Sequence, residues 1–102
     1  MDMKGPDPKT VAGNVYTLLL ENDRVRVFDV HFKPGAKAQM HWHPDHVGYV
    51  INGGKLKLKM GDGTMTELEL PTGQAVYLES QSHEAVNVGN SDVHIAVVEL
   101  LK

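Results

Sequence analysis

Three histidines fall within six residues in the stretch Gly35-Ala36-Lys37-Ala38-Gln39-Met40-His41-Trp42-His43-Pro44-Asp45-His46. The chain has six histidines in 102 residues, so this concentration is the first place to look for chemistry. His41 and His43 are two apart, and on a β-strand both side chains point to the same face. Neutral imidazoles side by side in an apolar interior each bring a donor and an acceptor that need partners. A metal ion meets that need by taking a lone pair from each ring. Pro44-Asp45 then offers a turn. After it, His46 either brings a third imidazole to the same point or stands at the rim, donating to Asp45 or a ligand.

The rest of the composition narrows the chemistry. There is no cysteine, which excludes disulfides, thiolate nucleophiles and cysteine zinc sites. The formal net charge is -3 with no block of Lys and Arg, so nothing marks a nucleic-acid surface. No run approaches the roughly 20 apolar residues of a membrane span. The start, MDMKGPDPKT, lacks the apolar centre of a secretory signal, and the expected location is the cytoplasm. A length of 102 residues with 41% hydrophobic and 23% charged side chains fits one globular domain.

The elements that position the histidines read as strands. Residues 1–14 hold Gly5, Pro6, Pro8 and Gly13 and are expected as an extended N-terminal arm. Residues 15–102 form the domain proper, where no helical period persists and turn signals recur. Lys55 to Met60 alternates polar and apolar strictly, and Glu67 to Leu70 does the same. Gly61-Asp62-Gly63 between them suits a hairpin turn, with lysines and glutamates paired on the wet face. Arg24–Phe32 is a strand with Phe28, Val30 and Phe32 on the core side, ended by Pro34-Gly35. Ala75–Leu78 and Val93–Leu101 are further strands. Many short strands at this spacing imply an all-β sandwich or barrel.

On these residues the chain resembles the cupin superfamily. Its first motif runs Gly, five residues, His-x-His, a carboxylate, and a later Gly. Gly35, His41, His43 and Gly53 match it, and His46 stands where the carboxylate is usual, after a gap one residue shorter. The second motif is matched by Gly73, His83 and Asn87, with Glu79 in place of a Pro and Gln81 near a usual Gly. The resemblance runs from about Val25 to Leu101.

The resemblance implies a jelly-roll β-barrel of six to eight strands, a homodimer, and one divalent metal held by His41, His43, His46 and His83. Histidine at position 46 removes a negative charge, which suits iron, nickel, copper or zinc better than magnesium, calcium or manganese. Open coordination positions would take water, oxygen or a chelating small molecule. The expected function is a metal-dependent small-molecule enzyme such as a dioxygenase. The alternatives are a non-catalytic metal- or ligand-binding domain, and an isomerase. A metal-free isomerase would need a His-Asp or His-Tyr pair that the sequence does not single out.

Other residues take secondary places. Gln39 shares parity with His41 and His43 and is expected at the pocket mouth. Asn87 is expected behind the ligands or in a turn. Tyr49 and Tyr77 are read as donors to a ligand or as ordinary packing. Asp45 and Glu79 are the only nearby acids that stand out as a general base. Trp42, of opposite parity, is expected on an outer face, where it joins Val25 and Val27 in a subunit contact. His31 and His94 are read as structural or surface histidines.

Overall fold

The computed structural model describes residues 4–101. One helical turn, α1 (Pro8–Val11), precedes nine strands among the described residues. They are β1 (Tyr16–Glu21), β2 (Val25–Phe32), β3 (Lys37–His43), β4 (His46–Asn52) and β5 (Gly54–Met60), then β6 (Met65–Leu70), β7 (Ala75–Leu78), β8 (Gln81–Asn87) and β9 (Val93–Leu100). The strands form two antiparallel sheets, in the orders β1-β2-β9-β4-β7 and β3-β8-β5-β6.

The core lies between these sheets because one face of each strand is apolar. Phe28, Val30 and Phe32 of β2 are buried, as their alternation predicts. They join Val50, Val93, Ile95 and Val97 of the same sheet, and Leu56, Leu58, Leu70 and Ala85 of the other, in one cluster. The β5–β6 hairpin also forms as its pattern predicts. Gly63 has φ +90°, a conformation glycine adopts freely, and Asp62 Oδ1 accepts from the Thr64 N–H at 2.9 Å. On its wet face Lys55 Nζ lies 3.7 Å from Glu67 and 3.6 Å from Glu69.

Two expectations need correction, besides a strand count of nine among the described residues where six to eight were expected. The closed barrel is instead a two-sheet jelly roll, with no ladder joining the sheets among the described residues. One reason lies at β3, which pairs with β8 on one side only. On its other side the Trp42 N–H donates to Pro6 O at 2.8 Å, so an N-terminal backbone group occupies that edge. The second correction is the extended arm. Asp7 caps α1 by accepting from the Lys9 N–H at 3.0 Å, and Pro8 opens the helical turn. Ala12 and Val15 then enter the core. The Asp7-Pro8 step is a helix-start signal hidden among residues that otherwise read as loose chain. Residues 1–3 and 102 lie outside the described residues.

No helix among the described residues is long and apolar enough to cross a membrane. The turn after β4 depends on a close approach: a Cβ on Gly53 would stand 1.9 Å from the Leu70 carbonyl oxygen. Gly53→Ala must displace backbone and should destabilise the fold by about 1–3 kcal/mol. A urea midpoint equal to wild type would contradict that packing.

Candidate metal centre

The site begins with an irregularity in β3. Ala38 pairs with Ala85 and His41 with His83, so three steps along β3 match two along β8. This bulge places Ala38, His41 and His43 all toward the interior. It also removes Gln39 from the parity the sequence suggests. Gln39 is exposed, and what it gives the site is its carbonyl oxygen, not its side chain.

His83 sits directly across from His41 in the ladder. The ligand atoms of His41, His43 and His83 lie within 4.8 Å of one another, and all three residues are buried. His46 is buried too and arrives from the opposite sheet at the start of β4. Its ring centroid is 4.6 Å from that of His43, but it is not part of the three-residue group.

Each ring has an acceptor at Nδ1. His41 Nδ1 lies 2.5 Å from Gln39 O, and His46 Nδ1 2.7 Å from Pro44 O. Carbonyl oxygens only accept, so these nitrogens carry the proton. His43 Nδ1 lies 2.7 Å from Glu99 Oε2, and His83 Nδ1 2.8 Å from Gln81 Oε1. The Gln81 amide is oriented by its own Nε2–H, which donates to Glu79 O at 3.0 Å. All four rings therefore carry the lone pair on Nε2, and at His43 the Tyr16 hydroxyl, 3.1 Å away, donates to it. His41 Nε2 is buried with no hydrogen-bond partner among the described residues. An unmet acceptor of this kind costs about 1–3 kcal/mol, and a cation among these rings would relieve it. The residues present thus fit a metal ion.

Sequence reasoning missed three groups here. Glu99 extends the alternation Val93, Ile95, Val97 inward and is nearly fully buried. Its carboxylate reaches His43 on the opposite sheet. Arg26 is also buried; its Nε lies 3.4 Å from Glu99 Oε1, an ion pair without an aligned hydrogen bond. Arg26 then forks onto Asp7 at 2.7 and 3.2 Å and lies over the Phe28 ring at 4.8 Å. Tyr16 is the third: its hydroxyl stands 3.1 Å from His43 Nε2. Strand parity from Phe28 and Val97 would have found Arg26 and Glu99; no sequence signal marked Tyr16.

Other expectations resolve as follows. Asn87 is buried, but its amide serves the backbone of Phe32, Ser91 and Gly89, so it is a turn residue and not a ligand support. Tyr49 alternates with inward His46, Gly48 and Val50 and is half exposed outside the pocket. Trp42 is buried: Gly5 lies against it and Pro6 bonds its amide, so it is not free for a subunit contact. Asp45 and Glu79 are exposed, and Asp45 accepts from the Ser80 N–H. The buried acid beside the histidines is Glu99 instead. His31 and His94 stand apart from the cluster, paired with Asp92 and Asp29.

Beside the histidines, between the two sheets, lies a partly open cavity of about 50 Å³. Tyr16, His43, His46 and His83 are its polar lining, and the rest is apolar, including Phe32, Leu56, Leu70 and Ile95. Among the described residues, no Lys, Arg, Asp or Glu lines it.

Burial lowers the pKa of all four rings, that of His83 to about 3 and that of His43 well below the ordinary range. Repulsion among the clustered imidazoles adds to this for His43 and His83. Burial raises Tyr16, with Glu99 adding to the effect, so its hydroxyl keeps its proton. Burial pushes the Glu99 carboxyl up to about 7, against the pull of Arg26.

A family model described as "Cupin domain" matches residues 28–99. No curated protein matches the chain. Among solved structures, a cupin domain from Bordetella pertussis is 24% identical, with 97% of this chain and 98% of that chain covered and a TM-score of 0.76. A conserved protein with a double-stranded beta-helix domain from Klebsiella pneumoniae is 27% identical over 83% of this chain and 75% of that one, with a TM-score of 0.64. A predicted oxalate decarboxylase from Thermotoga maritima is 20% identical, covering 85% and 79%, with a TM-score of 0.61.

The depressed histidines set the acid behaviour of the metal-free protein. The unfolded chain takes up protons below about pH 6.5, where the folded protein keeps the rings neutral. The histidine contribution is therefore complete above that pH and is lost progressively toward 3, where His83 titrates. Glu99, raised to about 7, acts in the opposite sense, but as one group against four. Urea midpoints of metal-free protein should fall steadily from pH 7 to 4, and a flat profile would contradict neutral burial of the rings.

Proposed function

The chain belongs to the cupin-domain family, and on that premise we propose that it binds one divalent transition metal through His41, His43 and His83. His46 stands beside them, either completing the set or facing the ligand. Iron, nickel, copper and zinc suit an all-imidazole set, whereas magnesium and calcium favour oxygen. The observation that carries the reading is the buried, unpartnered Nε2 of His41 within this cluster.

The activity we assign is metal-dependent chemistry on a small uncharged molecule, of the dioxygenase type. When bound, the metal supplies Lewis acidity and, if iron or copper, redox chemistry. The chain's own residues set the terms. The walls are largely apolar, and the cavity admits a ligand of only a few heavy atoms. Tyr16, whose hydroxyl stands 3.1 Å from His43 Nε2 at the cavity wall, holds its proton tightly and does not serve as a base. Among the described residues, no cationic side chain in the lining compensates a free carboxylate. The likeness to a predicted oxalate decarboxylase concerns the fold and carries no substrate to this chain.

We also assign a homodimer to the outer face of the five-stranded sheet. Leu20, Val27, Val98, Val47 and Tyr77 are paired in register across all five strands. They form an apolar stripe that a second copy can cover.

His41→Ala should abolish retention of metal by untagged protein while circular dichroism keeps its β signature; full retention would contradict the assignment. Oxygen uptake by the iron-loaded protein with small uncharged diketones tests the reaction class. Metal binding without turnover on any of them would leave a non-catalytic metal-binding domain. Light scattering should report a dimer at micromolar concentration, and a monomer there would exclude the stripe as an interface.

A further inference from the structure

Three ionic residues join His43 to the N-terminal segment, and two of them, Asp7 and Arg26, lie outside residues 28–99 that the family model matches. Glu99 Oε2 meets His43 Nδ1 at 2.7 Å, Glu99 Oε1 lies 3.4 Å from Arg26 Nε, and Arg26 Nη2 meets Asp7 Oδ1 at 2.7 Å. The Glu99 and Arg26 side chains are only 1% and 6% exposed. Ions this deeply buried need every partner in place, because removing one leaves an uncompensated charge. The same segment also touches the ligand strand directly. Pro6 O accepts from the Trp42 N–H between the two histidines, and Gly5 lies against the Trp42 side chain. Asp7 further caps α1, so one carboxylate anchors the segment and closes the ionic chain.

We propose that Asp7, Arg26 and Glu99 are positioning residues for His43, coupling the seating of the N-terminal segment to occupation of the metal centre. The proposal rests on the reading of His43 as a ligand. A carboxylate on Nδ1–H fixes the ring and makes Nε2 a stronger donor to the metal. Arg26 fixes that carboxylate, and Asp7 fixes Arg26. Linkage makes the coupling reciprocal: a seated segment favours the metal, and the metal favours a seated segment.

Cobalt(II) binding, followed by its visible absorption, tests this in the wild type, Asp7→Asn, Glu99→Gln and the double variant. Glu99→Gln should weaken affinity about 10–100-fold. Asp7→Asn should weaken it less, and the double variant should be no weaker than Glu99→Gln alone, because Asp7 acts through Glu99. Additive losses would overturn the chain. So would variants that melt earlier without metal yet bind cobalt like wild type, which is the mark of a merely structural role. If Glu99→Gln does not fold, hydrogen exchange in unaltered protein decides: zinc should slow the amides of Val11 in α1 and of Ala12, its C-cap, and unchanged rates would overturn the proposal. Wild type that binds no cobalt brings down the metal-centre reading itself; wild type that binds it, with Asp7→Asn unaffected, brings down only the coupling.

Discussion

A neutral imidazole has two ring nitrogens and one proton, and in the clustered histidines of this protein an acceptor claims that proton at Nδ1. The acceptors are the carbonyls of Gln39 and Pro44, the Glu99 carboxylate and the Gln81 amide. Every one of these bonds leaves the opposite nitrogen as a lone pair. Such a set cannot satisfy itself, since lone pairs do not hydrogen-bond to one another. The Tyr16 hydroxyl serves His43, while His41 Nε2 is left with nothing. The architecture around the rings either makes these bonds or holds the strands that do.

The two-sheet design explains how rings so far apart in sequence converge. β3 and β8 lie side by side, which sets His41 opposite His83, and the bulge in β3 corrects the parity so that Ala38 and His41 face the same way. Pro44 and Asp45 then carry the chain to the other sheet, where His46 opens β4. Glu99 enters from β9 of that second sheet, so its bond to His43 spans the interior. Burial beside these apolar walls favours the uncharged form of the rings.

Much of this was legible in the sequence, and what was not had local physical causes. Alternation marked the β5–β6 hairpin and the Phe28, Val30, Phe32 face because side chains there follow a strict period of two. The histidine spacing marked the cluster. Parity failed at Gln39, because one extra residue in a strand reverses every later assignment and leaves no compositional trace. Tyr49 was misplaced for the opposite reason: it follows parity from His46 faithfully, and that parity sends it outward. Arg26 and Glu99 were overlooked because charged side chains are ordinarily read as solvent-facing, and only their mutual pairing across β2 and β9 permits burial. The N-terminal turn hid behind prolines and glycines that usually signal loose chain.

Nitrogen-15 NMR of the imidazole rings, in long-range correlation with their carbon-bound protons, tests the central claim most directly. In metal-free protein near neutral pH, His41, His43, His46 and His83 should each show the Nδ1–H tautomer, and zinc should then shift the Nε2 signals of His41, His43 and His83. Nε2–H tautomers at His41 and His83, or zinc leaving all three Nε2 signals in place, would contradict the account.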